Sequence, residues 1–257
     1  MKGISTYISE KLRISSNKQS KYRYCPKTKE ELRDIIELRQ HDTDLNDIDV
    51  SNITSMQSLF KDLIPFNADI SEWDVSNVTN MQYMFAGCTR FNCDISNWNV
   101  SNVTNMFGMF MTCRSFNQDL PEWDVSNVKN MSTMFYDCEK FNGNIQNWNV
   151  SNVEFMKDMF DTCYEFNCDI SSWDISKAKD ISFMFFECEK FNQDLSKWDI
   201  SNVQDMSNIF YRCSSLNKDF SSMVKPSSLN PKNKSTFFKN MFKHTKLKDD
   251  MIPDWAK

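Results

Sequence analysis

Residues 73–85 read WDVSNVTNMQYMF, and residues 98–110 read WNVSNVTNMFGMF. The two stretches start 25 residues apart, and so do all their relatives: Trp73, Trp98, Trp123, Trp148, Trp173 and Trp198 form one series. With Trp as position 1, position 13 is always Phe and position 4 always Ser. Position 16 is Cys88, Cys113, Cys138, Cys163, Cys188 and Cys213, and position 20 is Asn92, Asn117, Asn142, Asn167, Asn192 and Asn217. A fixed period of this length is the signature of a solenoid, in which each unit buries its apolar side only against its neighbours. A weaker copy precedes the series, with Ile48 in the Trp place, Leu63 in the Cys place, and Phe60, Phe66 and Asn67 kept. Another follows it. Met223 stands in the next Trp place, and the match resumes late, with Phe242 and Trp255 at the spacing of Phe85 and Trp98. The Pro- and Ser-bearing stretch between them reads as an inserted loop.

Two periods show within a unit. Val78, Met81, Met84 and Phe85 are spaced 3, 3 and 1, the face of a short helix. Ser76 before them is placed to act as its N-cap. The stretch FNCDISNW, 91–98, reads as a short extended segment with Phe91 and Ile95 inward. Such segments are expected to stack as parallel strands about 4.8 Å apart. The fold class is therefore a repeat solenoid, an LRR-like α/β fold with a short helix and a short parallel strand per 25-residue coil, in about 7–8 coils.

The expected organisation is a flexible or amphipathic N-terminal tail over 1–20, a helical cap over 21–44, the solenoid over 45–222, and an insertion loop with a degenerate C-terminal cap over 223–257. In the cap, Thr28 and Glu31 make a capping-box pattern, and Leu32, Ile35 and Ile36 an apolar face. In the tail, Ile4, Ile8 and Leu12 recur every four residues.

Composition narrows the function. Net charge of −5 argues against a nucleic-acid binder that works through a broad basic surface. Only 4 glycines limit phosphate-cradling loops, and no apolar run is long enough for a membrane helix. The first residues show no apolar signal core, so the nine cysteines read as free thiols and the location as cytoplasmic or particle-associated. The position-16 cysteines suit small buried filler better than metal ligands. Cys88–Cys93 and Cys163–Cys168 each have four residues between them, at the edge of zinc spacing, but such pairs occur in only two copies, far apart along the stack. The position-20 asparagines suit bonding to backbone inside each coil. Position 22 carries Asp94, Asp119, Asp169, Asp194 and Asp219, with Asn144 among them; these are expected to accept backbone N–H groups, and calcium is the alternative. His41 and His244 are the only histidines and assemble no catalytic constellation, so no enzyme activity, cofactor or metal is expected.

The units W-[DN]-[VI]-S-N-V, M-x-x-M-F-x-x-C and F-N-x-D-I, over residues 45–222, resemble the BspA-like surface-protein repeat, a relative of the leucine-rich repeat. The resemblance implies a non-catalytic adhesion or recognition module, generally on bacterial cell surfaces.

In a solenoid the repeated letters build the body and the variable ones carry recognition. The candidate contact residues are Tyr83, Arg90, Tyr136, Lys140, Tyr164, Phe186, Lys190 and Tyr211, from positions 11, 14, 17 and 18. A protein or glycan partner is expected, with no nucleic acid and no membrane span, and the chain is read as a monomer or as part of a larger assembly. The alternative is a structural component of such an assembly, or of a virion-like particle, tethered by the N-terminal tail.

Overall fold

The structure is a computed structural model and describes residues 21–227 and 237–257. The expectations for the tail over 1–20, for most of the inserted stretch and for the linker before Lys21 lie outside the described residues. One complete α-helix is described, α1 (Lys29–Leu38). Thr28 Oγ1 accepts the Glu31 N–H at 3.1 Å, and Glu31 Oε2 accepts the Lys27 N–H at 2.8 Å. The box thus closes one residue further out than the Thr28–Glu31 pairing anticipated. Leu32, Ile35 and Ile36 are buried against the first coil.

The coils themselves contain neither the expected helix nor the expected strand. The stretch from position 8 to position 16 is a run of tight turns. Met84, Ala86 and Cys88 donate their N–H groups to the carbonyls of Met81, Tyr83 and Phe85. The intervening amides point out of the coil: Met81, Tyr83, Phe85 and Gly87 donate to Asn105, Phe107, Met109 and Met111 of the next coil at 2.8–3.0 Å. A helix is impossible here because positions 11 and 15 are left-handed. Tyr83, Thr133, Asp158, Phe183 and Asn208 have φ of 54–57°, and Thr112, Asp137, Thr162, Glu187 and Arg212 have φ of 56–61°. A left-handed non-glycine residue costs roughly 1–3 kcal/mol, and the bonds it directs to the next coil offset that cost. The apolar spacing that reads as a helical face is equally met by this turn ribbon. Its inward residues are Met81, Met84, Phe85 and Cys88, all fully buried.

Successive coils are joined in parallel, with Ser55, Asn80, Asn105, Asn130, Phe155, Asp180 and Asp205 bridged in one row. The sheet-like contact therefore lies in the stretch expected to be helical. The stretch expected to be a strand, positions 19–25, is joined mostly by side chains. Asn92 N–H donates to Asn67 Oδ1, and the pattern repeats through Asn117, Asn142, Asn167, Asn192 and Asn217 at 2.8–2.9 Å. This asparagine ladder runs over the surface, and Asn142 is exposed, which corrects the expectation of an internal role. Ser76 caps no helix. Its N–H is taken by Asp74 Oδ1 at 3.0 Å, and the same turn recurs at Ser101, Ser126, Ser151, Ser176 and Ser201.

The core consists of aromatic columns. Phe85, Phe110, Phe135, Phe160 and Phe185 follow one another at 5.4–5.8 Å. Phe91, Phe116, Phe141, Phe166 and Phe191 run beside them at 5.7–6.1 Å. Trp73, Trp98, Trp123, Trp148, Trp173 and Trp198 are buried, and each indole N–H donates to the carbonyl 28 residues earlier, as Trp148 does to Leu120 at 2.8 Å. A buried Trp needs such a partner.

Candidate binding surface

The turn ribbon fixes where variable side chains go. Since positions 9, 12, 13 and 16 turn inward, positions 8, 10, 11, 14 and 15 form one outer face, built on backbone bonded on both sides. Of the sequence candidates, Tyr83, Tyr136, Phe186 and Tyr211 lie on this face and are half-buried. Phe186 and Tyr211 stack at 4.9 Å, and His244 meets Tyr211 edge-on at 5.3 Å. Tyr83 lies apart from them, edge-on to Phe107 at 5.0 Å. Tyr164 is half-buried beside the face, while Arg90, Lys140 and Lys190 are exposed at its border.

Residues outside that candidate set stand among them. Asp161 takes position 14 between Tyr136 and Phe186 and is only 8% exposed. Its Oδ1 accepts the Thr162 hydroxyl at 2.6 Å. Burial pushes its carboxyl up to about 7, and the carboxylates of Asp158, Glu187 and Asp137 push the same way. Burial also raises Asp158 to about 6, against the pull of Lys157. Asp137 and Glu187 are ion-paired: Arg114 reaches Asp137 at 2.9 Å and Arg212 reaches Glu187 at 2.7 Å. The Lys157 ammonium sits over the Phe183 ring at 5.8 Å. The signal for the acidic pair was present in the sequence as a carboxylate in a slot filled by Met111, Tyr136, Phe186 and Tyr211 in other coils, but only the ribbon shows that this slot is half-buried.

The position-16 thiols are fully buried, and each donates to the carbonyl of the preceding coil's position-13 Phe, as Cys138 does to Phe110 at 3.0 Å. Burial raises them all, Cys88 to about 12, so thiolate chemistry is disfavoured. In position 22, Asp94, Asp169, Asp194 and Asp219 accept the N–H of the Ser two residues on at 2.8–3.0 Å, and Asp119 accepts that of Asn144 at 2.7 Å. Those bonds hold Asp169 and Asp219 below the usual carboxylate range. Among the described residues no three His, Cys, Asp or Glu side chains are grouped to hold a metal ion, and no helix is long and apolar enough to cross a membrane. Concavities are shallow. One of 590 Å³ lies between the end of α1 and the first coil, walled by Ile36, Leu45, Leu63, Ile64 and Phe66. Another of 340 Å³ lies among Glu187, Glu189, Arg212, Ser214 and His244.

The family described as "Mycoplasma protein of unknown function, DUF285" matches residues 31–147 and 129–255. This chain belongs to the DUF285 family. The two matches overlap over residues 129–147 and together span residues 31–255. No curated protein matches the chain. Among solved structures it is similar to a leucine-rich repeat protein of T. pallidum, with 11% identity over 63% of this chain and 70% of that one, at a TM-score of 0.40. A leucine-rich repeat protein of Eubacterium ventriosum gives 14% identity over 71% of this chain at a TM-score of 0.42, and this chain spans 44% of its length. A leucine rich cell surface protein of Faecalibacterium prausnitzii gives 11% identity over 79% of each chain at 0.34.

Proposed function

We propose that this DUF285 protein is a non-catalytic recognition module that binds a protein partner through the outer face of its turn ribbon. The observation that carries this reading is the division of labour within each coil. Every inward position is held by backbone and ladder bonds, while positions 10, 11, 14 and 15 change chemistry from coil to coil on a preformed surface. A preformed surface loses little freedom on binding. Its richest part runs through Tyr136, Asp161, Phe186 and Tyr211, with Phe183 and Asp158 beside them. Half-buried aromatics of this kind are the side chains that dominate binding energy at interfaces. The BspA-like character of the repeat supports an adhesive or recognition role at a cell surface. Residues 21–44 serve as the N-terminal cap in this reading.

The test is affinity capture with the full chain and with a Tyr136→Ser/Phe186→Ser/Tyr211→Ser variant of equal melting temperature. The partner is expected on the parent protein and absent from the variant. Identical sets of bound proteins on both would refute the assignment of this face.

A further inference from the structure

The geometry points to the outward edge of the coil at 237–257 as a row of donors that accepts an extended, acid-rich segment of a partner protein. In every coil the amides at positions 9, 11, 13 and 15 donate forward, and the carbonyls at 8, 10, 12 and 14 accept from behind. The final pairing joins Met206, Asn208, Phe210 and Arg212 to the carbonyls of Phe237, Lys239, Met241 and Lys243 at 2.8–3.1 Å. The next donors in register are Asn240, Phe242 and His244, whose N–H groups have no acceptor among the described residues. Asn240 and His244 keep the left-handed φ of their counterparts, 54° and 64°. The three amides are thus held in the conformation that binds a carbonyl row in every earlier coil.

Three further observations choose the occupant. Lys239, Lys243, Lys246 and Lys248 are exposed around this edge, and among the described residues none of them pairs with a carboxylate. The aromatic column ends at Phe242, which stacks on Phe210 at 5.6 Å on one side and is only partly buried. A second copy does not fit. Its own last edge offers donors only, and its carbonyl end is covered by α1, with Gln57 O already taking Lys29 Nζ at 3.3 Å. An extended segment supplies carbonyls at alternate residues, carboxylates for the lysines and one side-chain face for Phe242. This edge adjoins the ribbon face proposed above, where His244 meets Tyr211 edge-on at 5.3 Å, but it acts through backbone amides instead of the aromatic side chains.

The experiment uses the full chain labelled with ¹⁵N, titrated with a twelve-residue peptide of alternating Glu and Val and with the matching Lys and Val peptide. The acidic peptide is expected to shift the Asn240, Phe242 and His244 amides and slow their exchange with solvent, while the basic peptide leaves them unchanged. A Lys239→Glu/Lys243→Glu variant, altered only at exposed side chains, is expected to bind the acidic peptide at least tenfold more weakly. The inference is overturned if those amides are already protected in the free protein or become protected through self-association. It is equally overturned if the acidic peptide fails to bind, binds without moving them, or binds no better than the basic one.

Discussion

Thr133 offers the sharpest test of the turn ribbon. It holds φ at 54°, in the left-handed region that a β-branched residue strongly disfavours. Its Oγ1 is buried without a hydrogen-bond partner. One coil earlier the same position is Gly108, at φ 60°, where a side chain would collide with the Tyr83 ring at 2.6 Å. The ribbon therefore already accepts glycine at this place. Replacing Thr133 by Gly relieves left-handed strain of about 1–2 kcal/mol and removes an unpaired buried hydroxyl that costs about 1–3 kcal/mol. Against this stand the greater unfolded-state freedom of glycine, about 0.5–1 kcal/mol, and about 0.8 kcal/mol for the lost methyl group. The expected balance is a gain of about 1–2 kcal/mol, seen as a rise in melting temperature of roughly 2–6 °C. The assay is urea unfolding followed by circular dichroism, read at unchanged slope. Thr162 is the control, because it is left-handed too, at φ 61°, yet has its hydroxyl on Asp161. Thr162→Gly gives up that bond and is expected to gain little or to lose stability. A Thr133→Gly protein with a lower midpoint at the same slope would refute the reasoning, since neither strain nor the orphan hydroxyl would then matter.

The remaining expectations concern charge, thiols and rungs. Asp158 and Asp161 bind protons more tightly folded than unfolded, so their contribution is full below the ordinary carboxylate value and lost as pH rises through about 6 and 7. Stability should therefore fall between about pH 4 and pH 7, and Asp158→Asn/Asp161→Asn should flatten that fall in melting curves. Asp69, Asp124, Asp169, Asp174 and Asp219 are depressed by their serine bonds, so their contribution disappears as pH drops below about 4, which acid titration followed by circular dichroism would show. Native thiol labelling should reach only the half-buried Cys25, Cys93 and Cys168, with the other six reacting on unfolding; fast labelling of all nine would contradict the buried column. Asn142→Ala removes one exposed rung, the bond from the Asn167 N–H, and should cost about 0.5–1.5 kcal/mol in urea unfolding.

The sequence made the architecture readable because a solenoid repeats its core, and repetition exposes inward positions by their constancy. Trp148, Phe135 and Cys138 stand out only because their counterparts recur every 25 residues. Local conformation was less legible. The spacing of Val78, Met81, Met84 and Phe85 is shared by a helical face and by a ribbon that turns left-handed at every fourth residue. No composition rule separates the two when Tyr83, Thr133 and Phe183 occupy those left-handed places, since such residues argue against φ above zero. Tertiary bonds to the next coil override that preference, and they are invisible until the coils are stacked. The candidate face was half legible for the same reason. Its aromatic members showed in the pattern, while Asp158 and Asp161 became notable only once their burial was known.

The ladders of the body each connect a residue to a fixed position one turn away, at separations of 24, 25, 26 or 28. The seven-residue delay before Phe237 lengthens the separations that span it without ending the amide row: the Met206 N–H still reaches the Phe237 carbonyl, and Asn208 meets Asn240 at a separation of 32. Removing or duplicating a full 25-residue unit, by contrast, leaves each remaining residue with an equivalent partner. A chain lacking or repeating one unit is therefore expected to fold, with the outer face shifted by a whole coil. The number of coils can thus change without redesign of the core, which the position-13 and position-19 Phe columns would simply lengthen or shorten.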